Sequence, residues 1–150
     1  MKKITESKFL TNLCVQNCSN DEGIWILTKP LIYQSVLIQR TIYVPIGFQT
    51  DLASVPRIPL VWEAFGNRCH YEAVIHDYAY RTDAGFTFMK ANRVFYEAMT
   101  VRGKPLYIRA PMFLGVCMGG YPSYHQRTIV TDAPGRNQHK TAQISRRQIQ

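Results

Sequence analysis

No stretch of the 150 residues is apolar for long enough to cross a bilayer. The longest apolar run, Ala110 to Gly120, is bounded by Arg109. It falls short of the roughly 20 residues that a spanning helix needs, and is expected to be a buried helix instead. The N-terminus lacks the apolar core of a secretory leader, because Glu6 and Lys8 interrupt it. Cysteine is scarce. Cys14, Cys18, Cys69 and Cys117, in a chain of this length without a leader, do not read as a disulfide framework and are taken as reduced thiols. Synthesis in a cytoplasm is the expectation.

Acidic residues are the second shortage. Ten Asp and Glu stand against 18 Lys and Arg, for a formal net charge of +8. Residues 101–150 concentrate the imbalance, with eight Lys and Arg and only Asp132 to oppose them. Beyond Tyr124 apolar residues are also sparse, so residues 126–150 are expected to form a basic polar arm that cannot bury enough surface to order itself. Arg127, Arg136, Lys140, Arg146 and Arg147 are its candidate contacts to DNA phosphates or to other proteins. Tyr121, Tyr124 and His125 lie near enough in sequence to stack on bases. No recognised nucleic-acid reader motif accompanies them. Charge alone does not choose among phosphate, an anionic surface and an acidic protein, and a solvated tail is the plain alternative.

What is present suffices for one core. The hydrophobic fraction is 46%, and the length is too short for two ordinary domains, so a single domain over residues 1–125 and an arm over 126–150 are expected. Ile24 to Leu27, Leu31 to Ile38 and Thr41 to Val44 read as short strands in a meander. Phe48 to Asp51 is an extended piece entering a turn, which brings Asp51 to a sheet edge. From Tyr71 to Arg81 the spacing becomes helical. Thr87 can cap a second helix running to about Val101, and Leu106 to Met118 reads as a third, kinked or restarted at Pro111. The expected class is α+β: a small antiparallel sheet packed by two or three helices, with a basic C-terminal arm.

The densest polar signal is Asp51, His76 and Asp77. His76 and Asp77 are about 100° apart on a helix, while Asn92 can face them from the next helix and Asp51 from the loop. Asp51, His76, Asp77 and Asn92 would make an oxygen and nitrogen ligand set for a divalent metal. Alternatively, a carboxylate and His76 pair for proton transfer, with Arg57 neutralising an anionic substrate and Tyr80 donating a hydrogen bond. A scaffold reading covers the same residues: Asp51 accepts backbone N–H groups, Ser54 caps a turn, and His76 locks loop to helix. A Ser54-His76-Asp77 triad lacks the Gly-x-Ser-x-Gly elbow, and a histidine next to its carboxylate points elsewhere on the helix. Cys14 and Cys18 with Cys69-His70 lack the usual second half of a zinc site.

Two segments carry a family resemblance. Val44-Pro-Ile-Gly-Phe-Gln-Thr-Asp51-Leu-Ala-Ser54-Val-Pro56-Arg57 is followed by Ala73-Val-Ile-His76-Asp77-Tyr-Ala-Tyr80-Arg81. Together they resemble the signature of domain-of-unknown-function family 1353, which is widespread in phages and prophages. The likeness continues through Lys90 to Met99 and the helical stretch after it, roughly residues 40–120. It implies a phage gene product and carries no activity with it. Where the family commonly has Ala-Asp this chain has Ala91-Asn92. An amide in place of a carboxylate weakens a metal site, although its carbonyl oxygen still suits hard cations. The leading expectation is a virion structural or assembly component that docks onto other virion proteins or DNA through the arm, made in the host cytoplasm and destined for the particle. The alternatives are a small phage hydrolase or metal-binding enzyme centred on Asp51, His76 and Asp77, and a binding protein that counters a host defence. The residues name no definite cofactor, though they would suit a divalent metal; substrate and oligomeric state leave no sequence mark.

Overall fold

The period of the apolar residues changes from two to three or four near Cys69, and the architecture changes with it. The computed structural model describes residues 3–17, 23–52 and 69–126. Within these lie β1 (Lys8–Phe9), β2 (Val15–Asn17), β3 (Trp25–Leu27), β4 (Leu31–Ser35), β5 (Arg40–Val44) and β6 (Gln49–Thr50), then α1 (His70–Ala79), α2 (Phe88–Val101) and α3 (Leu106–Gly119). The class is α+β, as the residue pattern implies.

On β4 the inward residues are Leu31, Tyr33 and Ser35, and on β5 they are Ile42 and Val44. The strands pair antiparallel with Leu31 opposite Val44 and Tyr33 opposite Ile42, so both inward sets line one face. β1 pairs along the other edge of β4. A second antiparallel sheet has the order β2-β3-β6. The strands therefore form two three-stranded sheets rather than one meander. The reason is that β3 is the central strand of its sheet, with β2 on one edge and β6 on the other, which leaves no edge for β4. β3 pairs instead with β2 and β6, with Leu27 N–H on the Phe48 carbonyl at 3.0 Å. β1 and β2 come from an N-terminal stretch too short and too polar to announce itself as strand.

The helices follow their spacing closely. Thr87 caps α2 by accepting the Lys90 N–H, and Ala91, Val94, Phe95, Ala98 and Met99 are its buried residues together with Asn92. Gly85 closes the turn between α1 and α2 at φ +74, a left-handed conformation that glycine adopts without a Cβ clash. α3 is one uninterrupted element despite Pro111. The hydrogen bond Pro111 forfeits is the one to Tyr107, in an exposed first turn where water can satisfy the carbonyl, so neither break nor restart is needed.

α1 packs on β5 and α2, and α2 packs on α3. One core cluster joins Leu27, Leu31, Tyr33, Ile42, Val44 and Phe48 of the sheet region to Val74, Ile75, Ala91 and Val94. A second, around Phe95, Met99, Ile108, Met112 and Val116, fills the space between α2 and α3. α2 is thus the element common to both. At the end of α3, a Cβ on Gly120 would collide with the Tyr80 hydroxyl and the Val116 carbonyl oxygen. Gly120→Ala is expected to cost about 1–3 kcal/mol, read as a lowered melting temperature, because the carbonyl is backbone and cannot yield.

Candidate functional site

α1 presents its two signature residues to different neighbours. His76 is 2% exposed, and its Nε2 lies 2.8 Å from Asn92 Oδ1 on α2. A carbonyl oxygen only accepts, so the imidazole is the Nε2–H tautomer. The Tyr80 hydroxyl, one turn on, donates to the same oxygen at 2.7 Å. Asn92 Nδ2 in turn reaches Cys117 Sγ on α3 at 3.6 Å, which fixes the orientation of the amide. Asn92 therefore sits at the centre of a polar network joining all three helices. The rings of Tyr80 and Phe95 lie 4.0 and 4.8 Å from that of His76.

Burial pushes the His76 imidazole down to about 4, and the Asn92 hydrogen bond offsets only part of that. The ring is neutral near pH 7, and its Nδ1 is buried without a hydrogen-bond partner. Burial likewise raises the Tyr80 hydroxyl and the Cys117 thiol above their ordinary ranges. Cys69, in the N-cap position of α1, is pushed up to about 11, again by burial and then by Glu72. These are uncharged groups in an apolar setting. The same chemistry describes Cys69 and Cys117 as inert thiols, and with Cys14 they are free.

Asp77 is turned toward the sheet. Its carboxylate accepts a hydrogen bond from the Thr50 hydroxyl, and that hydroxyl accepts the Leu52 N–H at 3.0 Å. Arg81 adds a second tie, with one guanidinium nitrogen donating to the Gln49 carbonyl at 3.0 Å and the group lying 4.9 Å from the Phe48 ring centroid. Together these hold β6 against α1. Asp51 follows β6 directly, exposed, at the sheet edge the sequence pattern indicates. The fold thus brings His76, Tyr80 and Asn92 together and joins Asp77 to Thr50. Among the described residues no group of three His, Cys, Asp or Glu side chains could hold a metal ion. Ser54 and Arg57 lie outside the described residues, as do Cys18 and the arm residues Arg127, Arg136, Lys140, Arg146 and Arg147.

The aromatic residues before the arm divide. Tyr124 packs against the core, its hydroxyl donating to the Phe86 carbonyl at 2.6 Å, and His125 stacks on it at 3.7 Å while its N–H meets the Tyr80 carbonyl at 2.8 Å. Tyr121 remains 69% exposed. Base stacking by Tyr124 would have to compete with these contacts.

One polar residue escaped the sequence reading altogether. Glu97 on α2 accepts from the Ser7 hydroxyl at 2.7 Å and the Leu37 N–H at 3.0 Å on one oxygen, and from the Ser35 and Tyr33 hydroxyls at 2.6 and 3.0 Å on the other. It joins α2 to β4 and to the segment before β1. The available signal was Ser35, an inward position on a strand whose buried hydroxyl requires a partner.

The family described as "Protein of unknown function (DUF1353)" matches residues 25–116. The chain belongs to that family. The match spans β3 through most of α3 and so contains the Thr50–Asp77 tie and the His76, Tyr80 and Asn92 members of the network, with Cys117 one residue beyond it. No curated protein and no solved structure is significantly similar to the chain.

At position 92 the amide can be tested against a carboxylate. Asn92→Asp is expected to raise the His76 pKa from about 4 toward its ordinary range, since a negative charge at Oδ1 favours the imidazolium; an NMR titration of the ring reads this directly. Asn92→Ala removes the acceptor of two buried donors and is expected to cost about 2–4 kcal/mol in chemical denaturation.

Proposed function

We propose that the protein is a phage virion or assembly component that acts by docking rather than by catalysis. The observation that carries this reading is the use of the Asn92 carbonyl oxygen. It is taken up by both His76 and Tyr80 inside the helical layer, so the candidate catalytic imidazole serves as an interhelical tie and is closed to substrate. The phage assignment rests on the resemblance to family 1353, which is widespread in phages and prophages. Docking through the basic arm is supported by its charge, with DNA phosphate or other virion proteins as partners.

The test is quantitative mass spectrometry of gradient-purified particles from the phage or induced prophage that carries the gene, together with its deletion. A fixed copy number per particle, or incomplete particles on deletion, is expected. Absence from particles with normal assembly would remove the proposal. Elemental mass spectrometry of purified wild type and His76→Ala addresses the hydrolase alternative in parallel. A near-stoichiometric metal lost from a still-folded variant would redirect the assignment to a metalloenzyme.

A further inference from the structure

We propose that the groove between α2 and α3 is a docking site for an acidic amphipathic helix of another protein. The inference rests on the docking reading above and adds to it a surface distinct from the arm.

The groove has a volume of about 540 Å³ and is walled by Leu37 from the β4–β5 turn, Arg93, Tyr96 and Glu97 from α2, and Phe113 and Leu114 from α3. Its floor is apolar, with Phe113 edge-on to Tyr96 at 5.4 Å. Glu97 offers it little free charge, since both oxygens are committed to the strands and the N-terminal segment. Beside the groove, the outer face of α3 carries Tyr107, Leu114 and Met118, which are 67%, 57% and 82% exposed. With Ala110 they fall at intervals of three and four, a continuous stripe on the side opposite the buried Ile108, Met112 and Val116. Such a stripe spans roughly 17 Å, which fits about 12 residues of a partner helix laid along it.

Charge selects the occupant. From Phe88 to Gln126 the only acidic residue is Glu97, against Lys90, Arg93, Arg102, Lys104 and Arg109. Arg93 stands exposed at the groove wall, and Arg109 is held 5.1 Å from the Tyr96 ring centroid while donating to Thr100. A second copy would set two cationic faces against each other, and the chain's own residues 127–150 are basic as well. A helix with Leu or Phe on one face and Asp or Glu along its flank satisfies both the apolar stripe and the guanidinium rim.

A selection from a random 16-residue peptide display library on the immobilised full chain tests this without presupposing a sequence. The expected winners have apolar residues spaced by three and four, with an excess of Asp and Glu. Their affinity should fall about tenfold or more on Leu114→Asp. It should also fall on Arg93→Glu and recover when the peptide's acids are exchanged for Lys. Both substituted side chains are exposed, and circular dichroism checks that each variant keeps its fold. No enrichment, winners without acidic bias, or binding that survives both substitutions would overturn the proposal. So would a concentration-dependent dimer, or binding to phosphatidylglycerol vesicles, that Leu114→Asp abolishes; the occupant would then be a second copy or a membrane. Particle composition is measured separately, so this site and the virion role fail independently.

Discussion

Glu97→Ala is expected to lower stability by roughly 3–5 kcal/mol, on the order of 10 °C in melting temperature. The carboxylate lies where α2, β4 and the N-terminal segment meet, and four donors converge on it. Tyr33 and Ser35 are fully buried, so their hydroxyls cannot turn to water when the acceptor is removed. The Leu37 N–H and the Ser7 hydroxyl lose their anchor at the same time. Ser7 also accepts the Val36 N–H at 2.8 Å, so the β4–β5 turn loosens as well. Glu97→Gln should lose about half as much, because it keeps one acceptor oxygen while its NH2 faces hydroxyls able to rotate and accept. Urea denaturation of the two variants reads the difference. An alanine variant that melts within a degree or two of wild type would contradict this account of how the helical layer is held to the sheets.

The pH dependence of stability should hide two opposing contributions. His76 titrates near 4 in the folded protein against 6.5 as a free side chain, so between those values the unfolded chain binds the extra proton. Its contribution is present above about pH 6.5 and is lost as pH falls through 4, amounting to about 3 kcal/mol. Glu72 works in the other direction. It is 1% exposed with Oε1 unpartnered, and burial raises its pKa while Lys104 and Arg102 pull it partly back. Its contribution is present below its ordinary value of 4.5 and is lost as pH rises through the raised one. Over the overlap the slopes oppose, so the wild-type profile should lie between those of the two single variants. Glu72→Gln should unmask a stability that climbs with pH, and His76→Gln, whose amide can still donate to Asn92, should show one that declines. Urea midpoints measured from about pH 4.5 to 7.5 decide it. Parallel profiles in all three proteins would mean that neither group titrates differently on folding.

Part of the site was legible because it is local. His76, Asp77 and Tyr80 sit within one helical turn or so, and their spacing alone assigns His76 and Asp77 to different sides of it. Thr87 as a cap, Asn92 on the facing helix and Asp51 at a strand end were readable for the same reason. The roles were less legible. Whether His76 meets a carboxylate, a metal or an amide depends on how α1 and α2 cross, and a crossing is set by the side chains of both helices together. Glu97 was invisible as a hub because its donors lie 60 or more positions away along the chain. Nothing in its own neighbourhood distinguishes it from an ordinary surface carboxylate.

By itself the sequence determined the α+β class, the helical stretches with their cap and turn residues, and the short strands between Leu31 and Val44. Each follows from interactions within a few residues, where backbone geometry dictates which side chains share a face. Tertiary structure alone decided the split into two sheets, the gathering of His76 and Tyr80 on one amide, and the exposed apolar face of α3. These depend on which distant groups compete for the same donor, acceptor or buried space, and that competition is resolved only when the chain is packed.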